Sequence, residues 1–379
     1  MNNLKLLLDQ LIEAGSNPKE TVLKSMQDTK KEAVGCFPIY TPEEIIYAAG
    51  YLPVGMWGGP TDLKLADKYL QGFCCSIMRS NIEYGMKGTY NFLKAVVIST
   101  FCDTLKCICE NWKVAVPEIP VIPVVYPQNR MIEAGKEYLN EEFKRVATEL
   151  EKLSGKVITE DALNESFEIY EDFRAAMREF TVAVATHLNT IDVKTRHLVI
   201  KASFFMDKKT YTLKIKEITN ELNTLPKEDF DGIKVIATGL IAEPTALLDI
   251  LVENNIGIID DDLSQESRGF RVVARKEDTV YEKMVGRIVD QRGCTFLFEE
   301  AKTRGAMLIE MVNKHQADAV LVIMMKFCDP EEFDYPIYKE EIENNGIPIL
   351  YVETEQQMDS AEQIRTRIQS FAEMLTVEV

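Results

Sequence analysis

Cysteines that could bind a metal stand in three short stretches of the chain. Two of them repeat one construction, an apolar run that ends in Phe-Cys-Asp: AVVISTFCDTLK at residues 95–106 and AVLVIMMKFCDPEE at residues 319–332. The third, FCCSIMRS at residues 73–80, places Cys74 and Cys75 before a segment that reads as a helix. A thiolate is the form of cysteine that binds metal. The three stretches therefore raise the possibility of a metal or cluster site.

The two Phe-Cys-Asp cysteines, Cys102 and Cys328, each follow a predicted strand of a parallel sheet. Ligands of such sheets bind outside the carboxyl ends of the strands. We expect Asp329 to cap the helix after one cysteine, and Asp103 or Thr104 to cap the helix after the other. A thiol beside a helix N-terminus is expected to have a lowered pKa, which favours the thiolate.

Thiolates from three distant positions suit an iron-sulfur cluster that is held across a crevice. A structural zinc site usually has closely spaced cysteine pairs, which these positions lack. The alternative is a two-lobed binding protein whose cysteines are small core residues, and such a protein would be colourless and free of iron. Because the same construction appears twice, the cluster is the favoured interpretation.

Acidic residues near these stretches have a structural explanation. Thr41 and Glu44 have the spacing of a capping box. Glu43, Glu331 and Glu332 also lie at predicted helix starts. No acid-base residue is assigned on this evidence. The three histidines of the chain lie in helical, polar surroundings and are predicted to be surface residues: His187, His197 and His315.

Composition excludes several classes of protein. The chain has 379 residues, of which 43 are basic and 61 acidic, and its net charge of -18 repels nucleic acid and anionic lipid. No apolar run approaches the roughly 18 residues of a membrane span. We expect a cytoplasmic protein whose 8 cysteines are not disulfide-bonded. Dinucleotide, phosphate-loop and nucleophile-elbow motifs are missing from the sequence.

The order of predicted elements indicates an α/β fold with two lobes. Apolar runs at 233–238, 256–259, 319–325 and 347–352 alternate with helical segments, which predicts a doubly wound parallel sheet. The first part of the chain repeats this alternation with strands at 52–56, 95–99 and 121–125.

Helical periodicity without strand signals covers most of the segment between the two parts. The sequence thus predicts two flavodoxin-like or Rossmann-like parallel-sheet lobes, residues 1–130 and 226–379, which are joined by a helical connector at 131–225. Cys75 and Cys102 belong to the first lobe and Cys328 to the second, so that the cluster is expected in the crevice between the lobes.

With these motifs the chain resembles the 2-hydroxyacyl-CoA dehydratases, and most closely their β subunits. The resemblance covers nearly the whole chain and is carried by GCFPIYTPEEIIYAAGYLPVGMWGG, FCCSIM, FCDTLK, YPQNR, DDDLSQESR, MMKFCDPEEFDYP and RTRIQSFAEML. It implies one four-iron four-sulfur cluster per chain with Cys75, Cys102 and Cys328 as ligands and a non-cysteine ligand on the fourth iron. Whether Cys74 or Cys36 contributes stays open.

The resemblance also implies partners and a reaction. The chain is expected to form a heterodimer with a homologous α subunit, to receive one electron from an ATP-dependent iron-sulfur activator protein, and to act on a 2-hydroxyacyl-CoA. In the family, an oxygen-sensitive enzyme eliminates water from the (R)-2-hydroxyacyl thioester through a ketyl radical and yields an (E)-2-enoyl-CoA. This chain's cluster would relay or store the electron, and the acid-base residues would come mainly from the partner subunit.

Related roles in the same superfamily stay open as alternatives. They are a subunit of an ATP-driven reductase of the benzoyl-CoA type and a double-cubane cluster protein, which needs more thiolates. The acyl group of the substrate is not determined by the sequence.

Overall fold

The computed structural model describes residues 2–358 and 361–377 of the chain. Within these ranges, two four-stranded parallel sheets are present. The strands of the first sheet are β1 (Ala33–Cys36), β2 (Leu52–Gly55), β3 (Leu93–Ser99) and β4 (Val121–Val124). Those of the second are β5 (Ile233–Gly239), β6 (Ile256–Leu263), β7 (Ala319–Met325) and β8 (Ile349–Thr354).

The two sheets have the same topology. Their strand orders are β2-β1-β3-β4 and β6-β5-β7-β8. This is the flavodoxin-like order, in which the chain reverses direction across the sheet between the first and third strands and leaves a crevice at their carboxyl ends. The prediction of a doubly wound α/β fold with two lobes is confirmed. Cys102 and Cys328 follow β3 and β7, which are the equivalent strands of the two sheets.

Fourteen α-helices accompany the strands in the described part of the chain. The first five are α1 (Asn2–Ser16), α2 (Pro18–Thr29), α3 (Glu43–Ala48), α4 (Ser76–Met86) and α5 (Asp103–Ala115). Between the sheets come α6 (Glu133–Ser154), α7 (Glu160–Val184), α8 (Val193–Ala202) and α9 (Lys208–Thr224). The last five are α10 (Thr245–Glu253), α11 (Val280–Val289), α12 (Arg304–His315), α13 (Asp329–Asn344) and α14 (Glu362–Val377).

The strands differ in how well they can be predicted from the sequence. All seven residues of β7 are buried, as expected for a central parallel strand covered on both faces, and its predicted bounds are correct. β1 was not predicted, because its residues, AVGC, contain a single β-branched side chain and a glycine and so have little preference for a strand. A Cβ on Gly35 would lie 2.2 Å from the Met56 sulfur, so that a larger residue there would require Met56 to shift.

One hydrophobic core contains residues from all three predicted segments of the chain. Met284 and Ile288 of α11 share a buried core with Val97 of β3 and Phe143 of α6. A helix from the predicted C-terminal lobe therefore covers the first sheet, while the boundaries at 130 and 225 remain predictions. Among the residues that the structure describes, no helix combines the length and apolarity that crossing a bilayer requires.

Candidate metal centre

The three candidate cysteines occupy equivalent positions in local structure. Cys75 is the N-cap residue of α4, Cys102 of α5 and Cys328 of α13. The backbone N–H of Leu105 donates to the Cys102 sulfur over 3.4 Å. Each thiol thus stands where a strand-to-helix connection ends and unpaired helix N–H groups begin.

This placement corrects the predicted caps. Asp103 and Asp329 are the first residues of their helices rather than the caps, and Thr104 is the second residue of α5. The cysteines occupy the N-cap positions because the helices start directly after them. The acidic side chains at these starts still suit the positive end of the helix dipole.

One cavity is lined by all three cysteines. It lies at the carboxyl ends of strands from both sheets, since its wall includes Ile39 after β1, Trp57 after β2, Cys102 after β3, Leu240 after β5, Ser264 after β6 and Cys328 after β7. Cys75 joins them from the start of α4. Both crevices that the topology creates therefore open onto the same space.

Burial, and not the helix N-terminus, dominates the acidity of these thiols. Cys75 and Cys328 are 8% and 5% exposed, and Cys102 is partly buried. Burial raises the pKa of Cys75 to about 12 and also raises the pKa of Cys102 and of Cys328, the last with a further contribution from Glu331. The expectation of lowered pKa values is wrong for the metal-free chain, because desolvation of the thiolates exceeds the effect of the helix N–H groups.

The backbone N–H groups at the helix starts still lower the pKa of these thiols, as expected. Hydrogen bonds from the backbone of Met78 and Leu105 oppose the effect of burial on the pKa of Cys75 and Cys102. The thiols also influence one another, since charge on Cys102 raises the pKa of both Cys75 and Cys328. Such mutual coupling arises only between groups that are close in space.

The remaining cysteines lie apart from this cavity or beside it. Cys74 is buried in the core next to Cys75, and Cys36 ends β1 and lines a neighbouring cavity. On α5, Cys109 is buried whereas Cys107 is exposed. Cys294 is buried and accepts a hydrogen bond from the hydroxyl of Tyr40 over 3.0 Å.

The donor set fits an iron-sulfur cluster better than a single ion. Within residues 2–358 and 361–377, no three His, Cys, Asp or Glu side chains are arranged to hold one metal ion. A cluster makes a different demand, because each thiolate binds a separate iron atom. Three thiols around one largely apolar cavity, with backbone N–H groups directed at them, meet that demand.

A buried network of ion pairs surrounds Glu331, three residues after Cys328, and was not predicted from the sequence. Glu331 contacts Arg268 over 3.1 Å and Arg304 over 2.8 Å, and both arginines also pair with Asp262. Glu331, Arg268 and Asp262 are fully buried. The motif DDDLSQESR thus supplies partners for the first turn of α13. Its three consecutive acidic residues at the end of a strand were the feature of the sequence that could have indicated this network.

The capping box predicted at Thr41 and Glu44 is absent from α3. Pro42 occupies the N-cap position and makes no side-chain cap bond. Glu44 is instead buried between Arg174, at 2.7 Å, and Arg287, at 2.6 Å. These guanidinium groups overcome the effect of burial and lower its pKa to about 2. The partners come from α7 and α11, which are far away in sequence.

Two of the three histidines are buried, contrary to the prediction. His187 and His197 are each 2% exposed, and the ring of His197 lies 3.2 Å from Glu266 and 3.5 Å from Glu243. His315 is partly buried and lies 3.0 Å from Asp260. Helical periodicity did not reveal that the connector helices are covered on more than one face.

Gln356, which follows β8, joins the two halves beside α4. Its amide nitrogen donates to the Trp57 carbonyl over 2.8 Å and to Glu243 over 2.9 Å, and its amide oxygen accepts from the N–H of Gly59 over 3.0 Å. A Cβ on Gly58 would lie 2.5 Å from that oxygen. The backbone at Gly58 and Gly59 therefore leaves room for a side chain from the segment that follows β8.

Comparisons with known proteins find similar sequences over nearly the whole chain. The family model described as 2-hydroxyglutaryl-CoA dehydratase, D-component, matches residues 38–375. The chain is 44% identical over 378 residues to the lactoyl-CoA dehydratase subunit beta of Anaerotignum propionicum, covering 99% of this chain and 100% of that protein. It is 40% identical over 375 residues to the (R)-phenyllactyl-CoA dehydratase beta subunit of Clostridium sporogenes, again covering 99% and 100%.

A third relative has a different acyl group in its name. The (R)-2-hydroxyglutaryl-CoA dehydratase, subunit beta, of Acidaminococcus fermentans is 34% identical over 379 residues, which cover 98% of this chain and 100% of that protein.

Proposed function

Because the chain belongs to the 2-hydroxyglutaryl-CoA dehydratase D-component family, we propose that it is the β subunit of a 2-hydroxyacyl-CoA dehydratase. The resemblance predicted from the motifs is confirmed, and so is the prediction of a dehydratase subunit, which makes the enzyme a hydro-lyase. A β subunit implies a partner α subunit, with which this chain forms the complete enzyme.

The observation that carries the proposal is the convergence of Cys75, Cys102 and Cys328 on one cavity. These residues hold a four-iron four-sulfur cluster, with a non-cysteine ligand on the fourth iron. When bound, such a cluster supplies a centre that accepts and releases one electron. The cluster belongs to the proposal, and the convergence of the thiols supports it.

The chain's own residues give this centre its environment. Trp57, Leu105 and Leu240 exclude water from the cavity, and hydrogen bonds from N–H groups at the helix starts reach the sulfurs of Cys75 and Cys102. Both burial and hydrogen bonds to sulfur tune the reduction potential of a cluster. The Glu331 network holds the start of α13, and therefore Cys328, in place.

The finer part of the proposal concerns the reaction. An ATP-dependent iron-sulfur activator delivers one electron, and this chain relays or stores it for the substrate bound near the partner subunit. The thioester is reduced to a ketyl radical, the C2 hydroxyl leaves, and the C3 proton becomes acidic enough to be removed. The electron then returns to the enzyme, so that the elimination consumes no electron.

The experiment that tests the ligands compares single cysteine variants of the heterodimer, purified without oxygen. Cys75→Ala, Cys102→Ala and Cys328→Ala should each lose iron, sulfide and visible absorbance from this chain while the far-ultraviolet circular dichroism stays unchanged. Cys109→Ala is the matched control, because that thiol is buried on α5 but does not line the cavity. Full iron content in the three variants would contradict the ligand assignment.

The proposed activity is tested separately. The reconstituted heterodimer with activator and ATP should dehydrate one or more of lactoyl-, phenyllactoyl-, 2-hydroxyisocaproyl- and 2-hydroxyglutaryl-CoA, with the enoyl-CoA product detected by mass spectrometry. Cys74→Ala belongs in the same series, since it decides which residue of the adjacent pair is the ligand. An iron-loaded enzyme that dehydrates none of these thioesters would contradict the proposed function.

A further inference from the structure

A buried serine joins the start of α4 to the second sheet. Ser76, the first residue of α4, directly follows Cys75 and has no exposed surface. Its hydroxyl oxygen accepts a hydrogen bond from the backbone N–H of Gln356 over 3.1 Å, and the same hydroxyl donates to the sulfur of Met325 over 3.1 Å. Gln356 follows β8, and Met325 is the last residue of β7. Ser76 therefore contacts the ends of two neighbouring strands of the other sheet.

The direction of these two hydrogen bonds follows from the groups present. A backbone N–H can only donate, so the Ser76 oxygen accepts from Gln356 and its own hydrogen is left for the Met325 sulfur. Gln356 is 4% exposed and Met325 is 1% exposed, so that water does not compete for either bond. A fully paired polar network in a medium of low dielectric constant rigidifies the groups that form it.

The Met325 end of this contact leads directly to Cys328. The backbone N–H of Cys328 donates to the Met325 carbonyl over 3.1 Å. Between them, Phe327 has a φ of 63°, a left-handed conformation that is rare for a bulky residue. Such a conformation persists where surrounding contacts hold the chain in place. The contact from Ser76 holds the first residue of this turn.

Two candidate ligands from different sheets are thus connected through one hydroxyl. The connection runs along the chain from Cys75 to Ser76, through the hydroxyl to Met325, and through a backbone hydrogen bond to Cys328. Cys75, Met325 and Cys328 also belong to one buried core. The placement of one thiol relative to the other therefore depends on how the start of α4 contacts the end of β7.

Ser76 does not line the cavity of the three cysteines, whereas its neighbours Cys75, Ile77 and Met78 do. The N–H groups of Ile77 and Met78 are directed at the Cys75 sulfur and form hydrogen bonds with it. Both N–H groups belong to the first turn of α4, so that their direction follows the orientation of this turn. Any effect of Ser76 on a cluster must consequently act through Cys75.

We propose that Ser76 is a positioning residue for the predicted cluster, because its hydroxyl fixes the first turn of α4 and with it the hydrogen bonds that the Cys75 sulfur accepts. The inference rests on the proposed function for the presence of the cluster. Hydrogen bonds to ligand sulfur tune the reduction potential of a cluster. They favour the reduced form, since that form carries more negative charge. Loss of the Ser76 hydroxyl is therefore expected to make reduction less favourable.

The redox part is tested in the heterodimer, purified without oxygen, by potentiometric titration followed by electron paramagnetic resonance. The signal that disappears in Cys102→Ala identifies this chain's cluster. In Ser76→Ala, reduction of that cluster should become at least threefold less favourable, which is about 28 mV at 59 mV per tenfold change for a one-electron couple. Its resonance spectrum should change as well, while the iron content stays at the wild-type value.

Ser166→Ala is the matched control. Ser166 is 1% exposed on α7, where its hydroxyl donates to the Glu44 carbonyl over 2.7 Å, and it does not line the cavity. This variant removes an equally buried hydroxyl from a helix, so that it reproduces a general loss of packing and hydrogen bonding. The potential and the spectrum of the cluster should stay unchanged in it.

Met325→Leu tests whether Ser76 acts through the sulfur of Met325. The change conserves volume and removes the acceptor, so that the chain is expected to fold. It should shift the potential in the same direction as Ser76→Ala, and the double variant should shift it no further than the larger single effect. Additive shifts would overturn the role of this contact.

Positioning is also tested without the cluster, by hydrogen exchange of the metal-free chain. The amides of Ile77 and Met78 should exchange at least tenfold faster in Ser76→Ala than in the wild type, and Ser166→Ala should leave them unchanged. Wild-type exchange in Ser76→Ala would overturn the inference, since the first turn of α4 would then be ordered without the hydroxyl.

The outcomes separate the two proposals. A wild-type chain without iron overturns the proposed function and with it the redox part of this inference, while hydrogen exchange still decides whether Ser76 orders α4. A loaded cluster whose potential is the same in Ser76→Ala as in the wild type, or shifts equally in Ser166→Ala, overturns the inference alone. A shift in Ser76→Ala and Met325→Leu that Ser166→Ala does not share is the result expected.

Discussion

Arg268 and Glu331 form an ion pair, with 3.1 Å between guanidinium and carboxylate, in which both side chains are fully buried. Arg268 lies in the segment that follows β6, and Glu331 in the first turn of α13, three residues after Cys328. The pair therefore links the end of one strand to the helix that a candidate ligand caps. Removing Glu331 leaves Arg268 with Asp262 as its partner, so that the buried guanidinium loses part of its compensating charge.

We predict that Glu331→Gln lowers the free energy of unfolding by about 3–5 kcal/mol, because Arg268 and Arg304 both lose a buried carboxylate. Urea unfolding of the metal-free chain measures this. Glu340→Gln, an exposed site on the same helix, should change stability by less than about 0.5 kcal/mol. Similar losses in the two variants would show that the buried pair is not the cause.

Replacement of Gln356 by leucine should weaken the association of the two sheets. The variant leaves the Trp57 carbonyl, the Gly59 N–H and one oxygen of Glu243 without their partner, and we expect a loss of about 3 kcal/mol. Gln357→Leu is the comparison, since that amide makes one contact, to the Gly59 carbonyl over 3.1 Å. Thermal unfolding should show a clearly larger effect for Gln356, and equal effects would refute this role.

The pH dependence of stability should contain a contribution from Glu44. The arginines around it lower its pKa in the folded chain from 4.5 to about 2. Its contribution to stability is therefore complete above pH 4.5 and is lost as the pH falls toward 2, and it amounts to about 3 kcal/mol. Glu44→Gln should unfold more easily at pH 7 and show a flatter acid limb in urea titrations at successive pH values.

The control for this measurement is Glu20→Gln, which alters an exposed carboxylate of α2. Its profile should match the wild type. An acid limb of wild-type steepness in Glu44→Gln would mean that other groups cause the acid sensitivity.

Glu83 should order the segment that leads to the cysteine pair. Its carboxylate accepts hydrogen bonds from the N–H groups of Lys64, Leu65 and Ala66 over 3.0, 2.7 and 2.8 Å and pairs with Lys87 over 2.9 Å. Glu83→Ala leaves three donors unpaired, and we expect a loss of about 3 kcal/mol.

Hydrogen exchange gives a local measurement of the same effect. The amides of residues 64–66 should exchange at least tenfold faster in Glu83→Ala than in the wild type. Unchanged exchange at 64–66 would show that other contacts order this segment.

Several elements were predictable from local pattern alone. β7 was predicted with correct bounds because a continuous apolar run between helical segments is typical of a buried parallel strand. β1 was not predicted because its residues AVGC, with one β-branched side chain and a glycine, have little preference for a strand. The ion pairs of Glu44 and the burial of His197 escaped it for another reason, since their partners are distant in sequence.

By itself the sequence determined the α/β class, the two sheets and the placement of Cys102 and Cys328 after equivalent strands, because strand patterns and strand ends are local properties. Only the tertiary structure decided that Cys75 meets them at one cavity, that burial raises the pKa of all three thiols, and that Glu331 faces two arginines. Burial and convergence depend on how distant segments pack, and no short stretch of residues encodes that packing.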